Sequence, residues 1–258
     1  NNNALHNPPH IHPRISNFLE DADRVREIHA HSSGTTNIVF PEIIQENYYK
    51  FKSVLEKRGL QYQIQYAHKP NKSHALVSSL AHIPEARIDV ASEGELESAL
   101  RAGFEGTRIS GGGPKNIEYI SSLITHGASI VIDSVHELHH VCTEVDRCGV
   151  KYHPVYVRLN VDSMLTTGVE SRFGILVEEV EEVLEILVRK KDSIRFDGFA
   201  FHINTDAQKM RLPMLGAVLV HTIEAVRRGL HPRCINIGGG FGVSYSASHA
   251  AWNEYTSA

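Results

Sequence analysis

Short apolar stretches alternate with helix-like patterns seven times along this chain, and that alternation constrains its fold more than any other feature. Strands are expected at about Gln63 to Tyr66, Arg87 to Val90, Thr107 to Ser110, Ser129 to Ile132, Pro154 to Asn160, Asp197 to His202 and Cys234 to Ile237. Repeated βα units bury a parallel sheet under helices, either closed as a barrel or open and doubly wound. The even spacing of the first five strands favours the barrel. So does the gathering of polar and glycine-rich signals after the strand ends, where barrel active sites lie. An eight-stranded barrel needs one more βα unit than can be counted. The expected fold is therefore an α/β (β/α)8 TIM barrel, incomplete within this chain.

Local signals mark the helices. Ser92 with Glu95, and Ser134 with Glu137, form S-x-x-E capping boxes, and Gly103, Gly127 and Gly149 stand where helices should stop. Pro41 opens a helix on which Ile44, Tyr48, Phe51 and Leu55 recur until Gly59. A long amphipathic helix is expected over Leu176 to Lys191, a short β-branched strand over Thr36 to Phe40, and one charged helix over Arg14 to Ala30. Residues 1–35 thus read as a partly mobile N-terminal extension, and 36–258 as the barrel domain.

With 258 residues, 41% of them hydrophobic, the chain can bury one large core. A net charge of −4 and the lack of basic runs interleaved with aromatics argue against nucleic acid as a partner. Cys142, Cys148 and Cys234 form no C-x-x-C pair and no even set, which suits a reducing cytoplasm. No apolar run has the length of a membrane span, and no leader pattern is present. Among 17 histidines, His10 and His12, and then His136, His139 and His140, raise a metal site. His136 and His140 have helical i, i+4 spacing, but the sequence sets no third ligand beside them, so no metal is expected.

Several stretches carry chemistry. Lys69 stands just past the first strand, where a desolvated amine in a barrel mouth can form a Schiff base; the plain alternative is a surface lysine in a loop. Gly238, Gly239 and Gly240 follow the seventh strand, and their backbone N–H groups can hold a phosphate; the alternative is a tight turn. His202 ends the sixth strand and can lay its ring on a planar cofactor, with the Thr205 hydroxyl three residues on; taken alone it reads first as a core-edge histidine. Gly111, Gly112 and Gly113 read equally well as a turn into a helix begun by Pro114. Asp89 lies at a strand end and needs a cation if it faces inward, for which Arg158 on the fifth strand is the candidate. Glu95 is accounted for by capping.

In order, these segments read Tyr-Ala-x-Lys-x-Asn, Asp-Val-Ala-Ser-x-x-Glu-Leu, Val-Arg-Leu-Asn, Ser-Arg-Phe-Gly-Ile, His-Ile-x-Thr and Ile-Gly-Gly-Gly-Phe. That series resembles the alanine-racemase-fold (fold type III) enzymes that use pyridoxal 5′-phosphate (PLP), in particular their diaminopimelate/ornithine/arginine decarboxylase branch. The resemblance covers about Thr36 to Tyr245. It implies a PLP-dependent amino-acid decarboxylase acting through a Lys69 internal aldimine, in a homodimer with shared sites. It also implies that His202 stacks on the cofactor ring, that Thr205, Gly238, Gly239 and Gly240 hold the phosphate, and that Asp89, Glu95 and Arg158 support the lysine and the ring. Racemisation, cofactor carriage without catalysis, and a non-catalytic phosphate-ligand barrel are the alternatives.

The chain departs from the family pattern in places. Pro70 stands where the family usually has alanine, and Asn204 and Thr205 replace Gly-Ser. The family's Glu-Pro-Gly-Arg segment and C-terminal β-domain are missing from the sequence. A piece of a longer enzyme is the favoured explanation, ahead of missing loops or a degenerate relative.

Overall fold

The computed structural model describes residues 9–161, 172–203, 211–243 and 245. Six strands form one sheet in sequential order: β1 (Gln65–Ala67), β2 (Arg87–Val90), β3 (Ile109–Gly111), β4 (Ser129–Ile132), β5 (His153–Arg158) and β6 (Ile194–Ala200). Each pairs in parallel with the next. Sequential order is barrel winding; a doubly wound sheet reverses direction partway. Between strands lie α4 (His74–Ala81), α5 (Glu93–Arg101), α6 (Ile117–Thr125), α7 (Val135–Cys148) and α8 (Val180–Arg189), with α9 (Arg211–Arg227) after β6. Before β1 come α1 (Pro13–Glu20), α2 (Ala22–Ala30) and α3 (Pro41–Lys57).

All four residues of β4 are buried, as expected of a parallel strand covered on both faces. Ile88, Ile109, Ile130, Val155 and Val157 from the strands meet Leu80, Leu96, Leu123, Leu138, Val183 and Leu187 from the helices. Each such fully buried aliphatic side chain contributes roughly 1.5–3 kcal/mol. That core holds the strand C-termini, and hence the loops that follow them, at one end of the sheet.

The seventh expected strand is reduced to a bridge. Asn236 lies parallel to β6, with its N–H on Phe199 O and its carbonyl taking the Phe201 N–H, each at 2.9 Å. The Asn236 Nδ2 donates to Gln65 Oε1 at 3.4 Å, so a side-chain contact joins this segment to β1.

Other expectations are corrected. Thr36 to Phe40 joins no ladder, since a β-branched run needs a neighbouring strand to pair with. The single helix over Arg14 to Ala30 is two, because the Asp21 carboxylate caps α2 by accepting the Arg24 N–H while its own N–H closes α1 on Phe18 O. Pro114 does not begin α6; the Asn116 side chain caps it by accepting the Tyr119 N–H at 2.8 Å. The helix expected from Leu176 starts as a 3₁₀ turn, Val177–Glu179, before α8. In the extension, His12 and Arg14 reach Glu46 on α3 at 3.1 and 2.7 Å, and the Phe18 and Phe40 rings meet edge to face.

Candidate active site

β1 delivers Lys69 to the turn that follows its C-terminal end. The strand ends at Ala67 and Lys69 stands in the turn two residues on, while His68 between them is buried, its Nε2 3.3 Å from Ser98 Oγ on α5. The His68 N–H donates to Asp89 O at 2.9 Å, which carries the β1–β2 pairing one residue past the strand. The turn after Lys69 is fixed by its own polar groups. Tyr66 Oη donates to Asn71 O, and the Asn71 side chain accepts the Ser73 N–H. Lys69 itself is exposed.

A second lysine, Lys72, stands three residues on, and the structure separates the two. The Lys72 ammonium lies 2.9 Å from Glu95 Oε1, while Glu95 Oε2 accepts the Ala91 N–H. Glu95 is buried. Burial pushes its carboxyl up, but the Lys72 and Ala91 hydrogen bonds outweigh this and hold it below the usual range. The Ser92 capping box is present, as its Oγ accepts the Glu95 N–H. The same device recurs two strands later: Ser134 caps Glu137, and the wholly buried Lys115 side chain reaches Glu137 Oε1 at 2.8 Å.

Asp89, next to last in β2, is half-buried. Burial pushes its carboxyl up to about 6, against the pull first of Lys69 and then of Arg158 and Lys115. The expected direct pairing of Asp89 with Arg158 is not what forms. Arg158 Nη1 lies 3.5 Å from Asp133 Oδ1, and its guanidinium stands 5.2 Å over the Phe173 ring. Asp133 follows β4 directly, and its only mark in the sequence is that it immediately precedes the Ser134 capping box.

His202 follows β6 and touches the glycine loop, whose Gly239 N–H donates to His202 Nδ1 at 3.4 Å. Gly238 has φ +70°, and a Cβ there would lie 2.5 Å from Phe201 O and 3.0 Å from His202 Nδ1, so only glycine fits. A Cβ at Gly239 would meet nothing within 4 Å. Thr205 and Ser171 lie outside the described residues. Close packing on Leu123 and on Ala91 accounts for Gly111, which ends β3, and for Gly113, which turns at φ +71° toward the Asn116 cap and not into a helix begun by Pro114. The His136 and His140 rings are 4.2 Å apart, and no group of three metal-binding side chains occurs among the described residues.

Residues 42–258 match the family described as pyridoxal-dependent decarboxylase, pyridoxal binding domain. The chain belongs to that family. Its cofactor is PLP. The chain is 32% identical to the uncharacterized protein y4yA of Sinorhizobium fredii, over 81% of this chain and 44% of that protein. It is 29% identical to diaminopimelate decarboxylase of Staphylococcus aureus, over 84% of this chain and 52% of that one. The chain therefore spans about half the length of the curated relatives it matches. The solved structure of diaminopimelate decarboxylase from Helicobacter pylori, complexed with L-lysine, superposes with a TM-score of 0.74 at 24% identity, covering 87% of this chain and 58% of that one. That likeness bears on the fold, and it agrees with the parallel α/β barrel expected from the βα count.

Proposed function

We propose that this chain carries the cofactor side of a PLP-dependent amino-acid decarboxylase, with Lys69 as the anchoring amine. The observation that carries the reading is the separation of the two lysines after β1: Glu95 holds Lys72 at 2.9 Å, while Lys69 stands exposed just past the strand end. The other groups suit the same cofactor. Gly238 leaves no room for a side chain beside His202, and Gly239 borders open space, as a cradle for a phosphate requires. When bound, PLP supplies an electron sink that stabilises the carbanion left by loss of a carboxylate.

The chain's own residues divide the work. Lys69 anchors the cofactor, and Asp89 beside it provides the carboxylate that keeps its charge compensated when the amine is free. His202 covers the ring face, the glycines and Thr205 receive the phosphate, and Arg158 and Glu95 keep the surrounding loops in place. The substrate class is a basic or diamino acid of the diaminopimelate, ornithine, arginine or lysine type, and the active form is a cytoplasmic homodimer with shared sites. Both rest on the likeness to the decarboxylase branch.

The test is chemical labelling. The chain is incubated with PLP, reduced with borohydride and mass-mapped. The cofactor mass is expected on Lys69 and is expected to vanish in Lys69→Ala. Labelling spread over surface lysines, or centred on Lys72, sinks the assignment.

A further inference from the structure

Arg211, the first residue of α9, is fastened to the glycine loop by three contacts. Its Nη1 donates to Ile237 O at 3.1 Å, its Nη2 donates to Gly239 O at 2.6 Å, and its guanidinium lies 4.3 Å over the Phe241 ring. No motif drew attention to this residue, and the roles assigned above do not use it. We infer that Arg211 is the positioning residue of the phosphate cradle, setting the direction of the loop's N–H groups. This inference rests on the PLP reading above and deepens it.

The argument follows from peptide geometry. In a planar trans peptide the C=O of one residue and the N–H of the next point in opposite directions, and the chain contains no cis peptide among the described residues. Capture of the Ile237 carbonyl by Arg211 therefore turns the Gly238 N–H away from the guanidinium, and that N–H goes to Asn236 Oδ1 at 2.9 Å. Capture of the Gly239 carbonyl turns the Gly240 N–H away in the same manner. Among the described residues no acceptor lies on the Gly240 N–H. Gly238 and Gly240 have φ of +70° and +75°, which lets the loop turn with both carbonyls on the guanidinium; with the Gly238 N–H on Asn236 and the Gly239 N–H on His202, the Gly240 N–H is the one left for a phosphate. A planar fork with several donors can bridge two carbonyls in this way, whereas an ammonium on a flexible stem cannot hold both in fixed geometry. The guanidinium also leaves a positive charge beside the loop.

The test compares PLP with pyridoxal, which lacks the phosphate, by equilibrium dialysis against the full chain. Wild type is expected to favour PLP. Arg211→Met is expected to lose about tenfold in PLP affinity, the size of one charge-assisted hydrogen bond, with pyridoxal affinity unchanged, and Arg211→Lys is expected to recover part of the loss. Equal loss for both ligands indicates a merely structural role and overturns the inference, as does no loss for PLP. Should Arg211→Met not fold, Arg211→Lys alone decides: weaker PLP binding with unchanged pyridoxal binding supports the inference, and unchanged PLP binding overturns it. PLP uptake that labels residues other than Lys69 counts against the parent reading, while the ratio of PLP to pyridoxal still reports on Arg211. A wild type that binds neither form overturns both.

Discussion

Lys72 is held 2.9 Å from the Glu95 carboxylate, and Lys115 is held 2.8 Å from Glu137 in the same relation two strands later. Each glutamate also accepts the backbone N–H that ends the strand before it, from Ala91 and from Asp133. A lysine after an odd strand is thus tied to the capping glutamate after the next even strand, and neighbouring loops of the barrel mouth are joined in pairs. The pairing occupies Lys72 and leaves Lys69 to the candidate site.

The two pairs should differ in cost. The Lys72 side chain is 61% exposed, so its ion pair is screened by water and its removal is expected to change stability little. The Lys115 side chain is 0% exposed, and Lys115→Ala strands the Glu137 carboxylate without its cation. Loss of one partner of a buried pair costs about 3–5 kcal/mol. Denaturant unfolding should show that loss in Lys115→Ala, near wild-type stability in Lys72→Ala, and recovery in the double variant Lys115→Met with Glu137→Gln. Equal effects at the two lysines would contradict the distinction.

Acid should act through His153. This side chain is buried in β5, and burial, with the Arg195 charge beside it, lowers its pKa to about 4. Its folded pKa lies below the ordinary value of 6.5, so the unfolded chain takes the proton first. Its contribution is full above pH 6.5 and is lost as pH falls toward 4, by about 3 kcal/mol. His153→Gln is expected to flatten this part of the stability-against-pH curve in denaturant unfolding.

Asp89 produces the opposite slope over nearly the same range. Its folded pKa of about 6 lies above the ordinary 3.8, so here the folded chain holds the proton more tightly. The benefit is present below pH 4 and is lost as pH rises through 6. Asp89→Asn in the cofactor-free chain is expected to raise stability at pH 8 by up to about 3 kcal/mol and to leave it unchanged near pH 3. The wild-type curve sums the two slopes and hides both, so each needs its own variant. A destabilised Asp89→Asn at pH 8 would show that the carboxylate is compensated by its cations.

Local devices were legible in the sequence, and long-range partnerships were not. Capping at Ser92 and Ser134 is settled within four residues, and the fully buried strand Ser129–Ile132 announces itself by its apolar run. The Thr36 to Phe40 run has the same appearance but no neighbour to pair with. Spacing pairs Arg158 with Asp89 because both sit near strand ends; its choice of Asp133, 25 residues away, depends on loop positions that no spacing encodes. Arg211 bonds to residues 26 and 28 positions away, so nothing near it in sequence marks it. The order of motifs made Lys69 stand out, and the Glu95 contact that distinguishes it from Lys72 had to come from the structure.

Neighbouring glycines of the loop should respond differently to the same substitution. Gly238→Ala places a Cβ 2.5 Å from Phe201 O on a backbone with φ +70°, so the loop must shift. Strain of this kind costs about 1–3 kcal/mol. Gly239 has no atom within 4 Å of its Cβ position, so Gly239→Ala folds without a clash. The added methyl group would instead stand in the open space assigned to the phosphate. Thermal unfolding is therefore expected to fall for Gly238→Ala and to hold for Gly239→Ala, while PLP affinity drops in both. Retained PLP affinity in a fully stable Gly239→Ala would mean that the phosphate does not approach this peptide.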